Sequence, residues 1–293
     1  MRKIGFIGLG TMGAGMARNI LKAGFHLTIT TSSREKEEAF ARDGAQIAAN
    51  AGDLLQSCDV IVTCVPDGPA LIGLFEGPLA DLDYSGRLFI DCSTIAPDEA
   101  RGCAAVVETG GGRFVDAPVS GGAKGAEAGT LTIMCGGDQS DFDAGLPVLQ
   151  AMGKSITLFG PVGAGQAVKA ANQLIVAVNM MGAFEAIAIA RANGVDPEAM
   201  RAALMTGAAR SGVLEMHAKR YLEDTLSGGF RVELLMRDLG IVASAGEDGG
   251  LSQPAAALAL QMVRATCNAG FNGHDSAVLG RFYDLINNHK DMP

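Results

Sequence analysis

A glycine-rich motif near the N-terminus has the spacing of a phosphate-binding turn. Gly8-Leu9-Gly10-Thr11-Met12-Gly13 directly follows the apolar run Ile4–Ile7 and opens a segment with helical periodicity. The first glycine permits a tight turn, the second lets the backbone approach a pyrophosphate, and the third lets the helix pack against the strand. The N–H groups of the helix N-terminus would face the phosphates. The motif predicts a dinucleotide site, although a glycine turn that serves only packing has the same pattern. The predicted cofactor residues of this turn are Gly8, Gly10, Thr11, Met12 and Gly13.

The residues after the second apolar run bear on which dinucleotide is bound. NAD enzymes usually place an Asp or Glu here to bind the ribose 2′-hydroxyl. This chain instead has Ser32, Ser33 and Arg34 before its first carboxylate, Glu35. A guanidinium can donate two hydrogen bonds to a 2′-phosphate, so the segment favours NADP, with NAD as the alternative. A second interpretation is that these three residues only cap the following helix.

The chain is long and apolar enough to hold such a site in a folded framework. It has 293 residues, of which 48% are hydrophobic and 19% are charged, as in soluble α/β proteins. This length suits two domains. The formal net charge of −9 argues against nucleic acid or an anionic membrane as a partner, because both require a basic surface. A small anionic substrate would need only local positive charge.

The pattern of apolar runs predicts the fold class. In the first half, short apolar runs alternate with helical patterns, which is typical of a Rossmann-type doubly wound parallel sheet. After the breaker cluster Pro161–Gly165 the pattern is helical almost to the end. We therefore predict a dinucleotide-binding domain over residues 1–162 and an all-α substrate and oligomerisation domain over residues 163–293. The predicted strands are Ile4–Ile7, Leu27–Thr30, Val60–Val65, Leu88–Asp91, Arg113–Asp116, Thr130–Cys135 and Ile156–Phe159.

Other sequence features argue against secretion, a membrane span and a metal site. The N-terminus lacks the apolar run of a signal peptide, and the six cysteines are scattered without a C-x-x-C pair, as expected of reduced thiols in the cytoplasm. The apolar stretch Leu174–Ala190 contains Asn179 and Glu185, so we predict a buried helix, apolar on all sides. The histidines are far apart and lack the spacing of metal ligands. They are His26, His217, His274 and His289.

Two further motifs join the glycine-rich turn. Asp116–Gly122 and Gly163–Asn172, together with Gly8–Gly13, closely resemble the β-hydroxyacid dehydrogenase family. The three motifs occur in the family's order and spacing, and the resemblance covers nearly the whole chain. It implies hydride transfer between a nicotinamide cofactor and a short hydroxyacid or semialdehyde. An imine reductase shares this architecture but usually replaces Lys169, so its presence favours carbonyl chemistry.

The resemblance implies a catalytic lysine and a carboxylate-binding turn. Lys169 and Asn172 are one helical turn apart and project from one face. A partly desolvated lysine has a lowered pKa and can exchange a proton with a substrate near neutral pH, whereas a surface lysine is the alternative interpretation. Ser120, Gly121 and Gly122 offer a hydroxyl and unhindered N–H groups to the substrate's acid group, or form an ordinary turn. Asn172 would bind the same substrate, or be a core amide.

The resemblance extends to weaker motifs. Val65, Pro66 and Thr94 match loops that line the nicotinamide and its ribose. Phe230 and Asp238 match residues that close the substrate site. Arg237 stands where the family usually has Lys. It keeps the positive charge but offers a planar fork instead of a point charge, and the resemblance implies that it contacts the cofactor.

The resemblance also suggests a substrate. Lys169–Asn179, Gly229–Leu234 and His274–Ala277 look most similar to the tartronate semialdehyde reductases, which implies reduction of 2-hydroxy-3-oxopropanoate to glycerate. The alternatives are 3-hydroxyisobutyrate dehydrogenase, glyoxylate or succinic semialdehyde reductase, and a dinucleotide-binding module without catalysis. The long apolar helix predicts a homodimer or homotetramer.

Overall fold

The structure, a computed structural model, describes residues 2–287, apart from the side chain of Asp248. His289 lies outside this range. The chain forms two compact units, which divide between Lys169 and Ala170. This division lies inside the helix α8, Ala164–Ala192, just after the predicted boundary at residues 162 and 163.

The first unit contains the predicted doubly wound sheet. Its described strands are β1 Lys3–Ile7, β2 His26–Thr30, β3 Gln46–Ile47, β4 Val60–Thr63, β5 Leu88–Asp91, β6 Arg113–Asp116, β7 Val119–Ser120, β8 Leu131–Gly136 and β9 Gly153–Gly160. The strand order is β3-β2-β1-β4-β5-β6-β8-β7, with β9 paired to β8. Strands β1 to β6 are parallel, which brings their carboxyl ends to one edge of the sheet. The predicted fold class is therefore confirmed.

The end of the sheet departs from a purely parallel arrangement. Strand β8 runs antiparallel to β6 and β7, and β9 runs parallel to β8. Asp116 pairs with Gly136 of β8, and Val119 and Ser120 pair with Ile133 and Thr132. The strand is interrupted at Ala117 and Pro118, and Pro118 has no N–H to donate. The chain then turns through α6 and returns, so β8 pairs in the opposite direction.

Helices cover both faces of this sheet. Successive strand residues alternate between two cores: Val60, Val62 and Ile90 face one, and Ile61 and Phe89 face the other. This alternation follows from the two-residue period of a strand, and it explains why these strands are apolar throughout. The helices of this unit are α1 Thr11–Lys22, α2 Arg34–Arg42, α3 Ala51–Ser57, α4 Gly68–Glu76, α5 Pro97–Thr109, α6 Gly122–Ala128 and α7 Gln139–Met152.

The second unit is helical. After α8 it contains α9 Pro197–Leu204, α10 Gly212–Leu222, α11 Val232–Asp248, α12 Pro254–Thr266 and α13 Leu279–Ile286, with a π-helical turn at Cys267–Phe271 and a 3₁₀ turn at Ser276–Val278. Helix α8 contributes Met180, Phe184 and Ile187 to the core of this unit. It is the one described helix long and apolar enough to cross a membrane, and 44% of its most apolar window is buried. Contrary to the prediction of burial on all sides, Ile175 and Ile189 are 60% and 65% exposed.

The cysteines are free thiols, and all except the half-buried Cys64 are buried. Burial raises the pKa of Cys64, Cys103 and Cys135 to about 12. In the part of the chain that the structure describes, no group of three or more His, Cys, Asp or Glu residues could hold a metal ion.

Candidate active site

The glycine-rich turn has the geometry that its sequence predicts. Gly8 has φ +101°, and a Cβ there would lie 2.2 Å from the carbonyl oxygen of Cys64. A Cβ at Gly13 would lie 1.9 Å from the carbonyl oxygen of Gly8, so the helix approaches the strand as closely as backbone atoms allow. A Cβ at Gly10 would meet no atom within 4 Å. The surface over Gly10, at the N-terminus of α1, is therefore open to a pyrophosphate, and the turn fits a dinucleotide.

The segment before α2 combines capping with an unexpected lysine contact. Ser33 caps α2 by accepting a hydrogen bond from the Lys36 N–H at 3.4 Å, which matches the alternative interpretation of this segment. Ser32 is exposed, and the Arg34 side chain is 90% exposed and pairs with Glu38. The ammonium of Lys36 donates to the carbonyl oxygen of Leu9 at 2.7 Å. Lys36 therefore brings a positive charge to the glycine-rich turn.

Sequence reasoning missed Lys36, although a signal was present. It lies one helical turn after the Ser33 cap, and a side chain in that position can extend back toward the loop before the helix. The helical face Arg34–Glu38 looked entirely solvated because charges of both signs alternate along it.

A buried carboxylate organises the loops after β4 and β5. Asp91 is fully buried, and one of its oxygens accepts hydrogen bonds from the hydroxyls of Thr63 and Ser93 at 2.7 and 2.6 Å. The Ser93 hydroxyl in turn accepts the N–H of Val65 at 2.9 Å. Burial raises the pKa of Asp91 to about 6. The network ties together the two loops that carry the predicted cofactor residues Val65, Pro66 and Thr94.

A second buried carboxylate holds the start of the lysine-bearing helix. Asp116, at the end of β6, accepts the N–H groups of Gly163 and Gln166 at 2.7 and 2.8 Å. Burial raises its pKa to about 6 as well. Lys169 follows Gln166 by one helical turn and is only 7% exposed, unlike a surface lysine. Sequence reasoning placed Asp91 at a strand end, and Asp116 at a strand end and in a family motif, but named a partner for neither. An aspartate that ends a buried apolar strand already requires one.

The predicted carboxylate-binding turn lies between β7 and α6. Ser120 ends β7 and is half-buried. Gly121 and Gly122 have φ of +137° and +63°, which residues with a side chain rarely adopt. A Cβ at Gly122 would meet no atom within 4 Å, so the backbone there is open to a ligand. The turn thus presents the predicted type of donor.

The second unit contains a chain of hydrogen bonds between α8 and α11. Asn172 donates its amide to Gln173 at 2.8 Å, and Gln173 donates to Asp238 at 2.6 Å. Arg237 donates to the other oxygen of Asp238 through two nitrogens, at 3.0 and 2.5 Å. Asp238 is 1% exposed. The structure therefore brings together the predicted residues Asn172, Asp238 and Arg237, and adds Gln173.

Phe230 lies in a separate part of this unit, before α11. Its N–H donates to the carboxylate of Asp275 at 3.1 Å, and its carbonyl oxygen accepts the N–H of Ser276 at 2.7 Å. Asp275 is 1% exposed and pairs with Arg220 at 2.9 Å. Sequence reasoning noted Asp275 only within a similar segment, and the pattern gave no sign of its partner Arg220.

Sequence profiles of known families match both halves of the chain. The profile described as the NAD binding domain of 6-phosphogluconate dehydrogenase matches residues 3–160. The profile described as NAD-binding of NADP-dependent 3-hydroxyisobutyrate dehydrogenase matches residues 163–283.

Whole-length relatives agree with these profiles. The chain is 37% identical to 2-hydroxy-3-oxopropionate reductase of Escherichia coli, over 98% of this chain and 99% of that one. It is 36% identical to NAD-dependent L-serine dehydrogenase of Pseudomonas aeruginosa, over 97% and 98%. The structure of Mycobacterium tuberculosis 3-hydroxyisobutyrate dehydrogenase with L-serine superposes with a TM-score of 0.88 at 29% identity, over 97% and 99% of the two chains. The chain therefore belongs to the β-hydroxyacid dehydrogenase family and is an oxidoreductase that uses NAD(P).

Proposed function

We propose that this enzyme reduces 2-hydroxy-3-oxopropanoate to glycerate and prefers NADPH. The observation that carries the catalytic part is Lys169, a buried lysine one helical turn before Asn172 on α8. The hydrogen-bond chain from Asn172 through Gln173 to Asp238 supports the choice of substrate. A polar surround suits a hydroxylated second carbon better than a methylated one, because buried polar groups need partners.

The residues have distinct roles in this reaction. When bound, the nicotinamide would supply the hydride that the aldehyde carbon accepts. Lys169 donates a proton to the carbonyl oxygen as that oxygen becomes a hydroxyl. Ser120, Gly121 and Gly122 bind the carboxylate through a hydroxyl and backbone N–H groups, and Asn172 orients the substrate. Phe230 and Asp238 complete the substrate site, and Val65, Pro66 and Thr94 line the nicotinamide.

L-Serine is the second candidate substrate, because one whole-length relative is named for it and one similar structure contains it. Steady-state kinetics with purified protein separate the candidates. The panel is 2-hydroxy-3-oxopropanoate, glyoxylate and succinic semialdehyde in reduction, and glycerate, L-serine and 3-hydroxyisobutyrate in oxidation. We expect the highest kcat/KM for the 2-hydroxy-3-oxopropanoate and glycerate pair. A higher kcat/KM for L-serine or 3-hydroxyisobutyrate would overturn the substrate assignment.

The role of Lys169 has a direct test. Lys169→Ala should lower kcat about 10²- to 10⁴-fold, because the proton donor is removed. Its cofactor affinity, measured by NADPH fluorescence, should change little. Lys154→Ala, an exposed lysine on β9, is the matched control and should keep wild-type kcat. If Lys169→Ala kept wild-type kcat, Lys169 would not be the proton donor. A wild-type protein that bound NADPH but turned over none of the substrates would instead favour a dinucleotide-binding module.

The NADP preference also has a test. We propose that Lys36 joins Ser32, Ser33 and Arg34 around the 2′-phosphate, since its ammonium already contacts the glycine-rich turn. Lys36→Ala should lower kcat/KM for NADPH about 10-fold and leave kcat/KM for NADH nearly unchanged, because only NADPH loses a charged contact. Arg42→Ala, at the other end of α2, is the control. Equal losses with both cofactors, or a wild-type preference for NADH, would contradict the assignment.

We further propose that residues 1–162 form the cofactor-binding domain, whose Ser120–Gly122 turn also binds the substrate's carboxylate. Residues 163–293 bind the rest of the substrate and other protomers, in a cytoplasmic homodimer or homotetramer. The exposed Ile175 and Ile189 on α8 support association of protomers, since large apolar side chains at 60% and 65% exposure on one helix favour burial against another surface. Light scattering after size exclusion gives the mass. A monomer at micromolar concentration would contradict the proposal.

A further inference from the structure

The buried amide of Gln166 has two partners on the loop after β5. Its nitrogen donates to the carbonyl oxygen of Ser93 at 2.9 Å, and its oxygen accepts the N–H of Ile95 at 3.2 Å. These two peptide groups flank Thr94, which is half-buried. Gln166 is 1% exposed. One side chain therefore fixes the backbone on both sides of a predicted cofactor residue.

The backbone of Gln166 is fixed as well. Its N–H donates to Asp116 at 2.8 Å, and the same carboxylate accepts the N–H of Gly163. The first turn of α8 is thereby anchored to the end of β6. Lys169 follows Gln166 by three residues, which places it one helical turn along the same face.

We infer that Gln166 is a positioning residue that fixes Thr94, and with it the nicotinamide side of the site, relative to the proton-donating Lys169. Hydride and proton must reach neighbouring atoms of one carbonyl group in the same reaction, so a misplacement of about 1 Å between their donors can cost 10²-fold in rate. The inference rests on the proposed role of Lys169. It assigns no chemical step to Gln166 itself.

Ser93 supports the same loop from its other side. Its hydroxyl donates to Asp91 and accepts from the Val65 N–H, so it ties the loops after β4 and β5 to each other. Gln166 is the element of this network that belongs to α8. Removing its amide should therefore free the loop after β5 from α8, while the loops after β4 and β5 stay hydrogen-bonded to each other.

The test variant is Gln166→Met, which keeps the length of the side chain and removes both hydrogen bonds. We expect kcat to fall about 10- to 100-fold and the primary deuterium isotope effect on kcat to rise, because hydride transfer becomes slower than product release. The Kd for NADPH should change less than about threefold, since the pyrophosphate turn is intact. Gln166→Asn, which is too short to reach both peptide groups, should show a smaller loss and serves if the Met variant does not fold.

The control is Tyr84→Phe. Tyr84 is 3% exposed and donates its hydroxyl to the Leu79 carbonyl oxygen at 2.6 Å, so this change also removes a buried hydrogen bond in the first unit. It should lower the Tm and leave kcat and the isotope effect unchanged.

A double-mutant cycle with Thr94→Val tests whether Gln166 acts through Thr94. We expect the double variant to be no slower than the slower single variant, because neighbours that act together are not additive. Wild-type kcat and isotope effect in both Gln166 variants, with only a lower Tm, would overturn the inference and leave the proposed function intact. Additive losses would also overturn it. Failure of the proposed function would show instead as unchanged kcat in Lys169→Ala.

Discussion

Two buried carboxylates in each unit have different kinds of partner, although a third buried carboxylate of the first unit, Asp141, pairs with Arg113 at 3.1 Å. In the first unit, Asp91 and Asp116 at the strand ends accept hydrogen bonds from hydroxyls and backbone N–H groups. In the second unit, Asp238 and Asp275 each pair with an arginine and are equally buried. Neutral donors stabilise a carboxylate without removing its charge, so burial raises the pKa of Asp91 and Asp116 to about 6.

This difference separates two uses of a buried acid. An ion pair such as Arg220–Asp275 fixes one arrangement of the chain, because losing either partner leaves an uncompensated charge. A carboxylate among neutral donors fixes loop geometry while staying near its protonation midpoint under mildly acidic conditions. The sheet edge predicted to bind the dinucleotide contains carboxylates among neutral donors. The segments around Phe230 and α11 contain ion pairs.

The largest expected effect is in the second unit. Asp275→Ala leaves Arg220 without this carboxylate and removes the acceptor of the Phe230 and Ala277 N–H groups. Breaking a buried pair costs about 3–5 kcal/mol, so we expect a loss of that size in the free energy of unfolding, measured by urea denaturation. Glu223→Ala, which removes an exposed pair with Lys219, should cost less than about 1 kcal/mol. Equal losses in the two variants would mean that the Arg220–Asp275 pair stabilises the fold no more than an exposed ion pair does.

Asp91→Asn should show an intermediate effect that depends on pH. The raised pKa of Asp91 means that the folded state binds its proton more tightly than the unfolded chain does. Proton binding by Asp91 therefore contributes fully to the free energy of unfolding of the wild type below pH 4. This contribution is lost as the pH rises to about 6. Relative to the variant, the wild type should lose up to about 3 kcal/mol between pH 4 and 7 and nothing more above that.

The comparison requires the difference in unfolding free energy between Asp91→Asn and wild type at several pH values. Asp116 titrates in the same range but is present in both proteins, so most of its contribution cancels. The asparagine also buries an amide nitrogen where one Asp91 oxygen has no hydrogen-bond partner among the described residues. That cost is independent of pH, so it changes the difference in unfolding free energy by the same amount at every pH. A difference that does not vary with pH would mean that Asp91 is not titrating in this range.

The sequence was sufficient for much of the fold and for the local turns. Short apolar runs located β5 and β6 to the residue, and the glycine spacing located the turn before α1. These features depend on local backbone geometry, which is encoded locally. The direction of β8 was not predictable in this way, because it depends on how the chain returns after Gly121 and Gly122 rather than on any pattern within the strand.

Contacts between residues far apart in the sequence were also not predictable. The Gln166 amide meets Ser93 and Ile95 more than seventy residues away, and Lys36 meets the carbonyl oxygen of Leu9. A single sequence indicates that a buried polar residue needs a partner, but not which residue supplies it. Arg34, favoured for its residue type, lies at the surface beside Glu38 and stays a predicted contact of the 2′-phosphate.

The smallest expected effect concerns Arg237, where the family usually has lysine. In Arg237→Lys an ammonium replaces the two nitrogens that donate to one Asp238 oxygen, so we expect a loss of about 0.5–1.5 kcal/mol of stability. Gln173 still holds the other oxygen, so Asp238 should keep its position and kcat should change less than about threefold. Denaturation and steady-state kinetics measure the two effects. A loss of kcat beyond about 10-fold with unchanged stability would show that the planar guanidinium itself binds cofactor or substrate, and that the arginine pairs of the second unit are not purely structural.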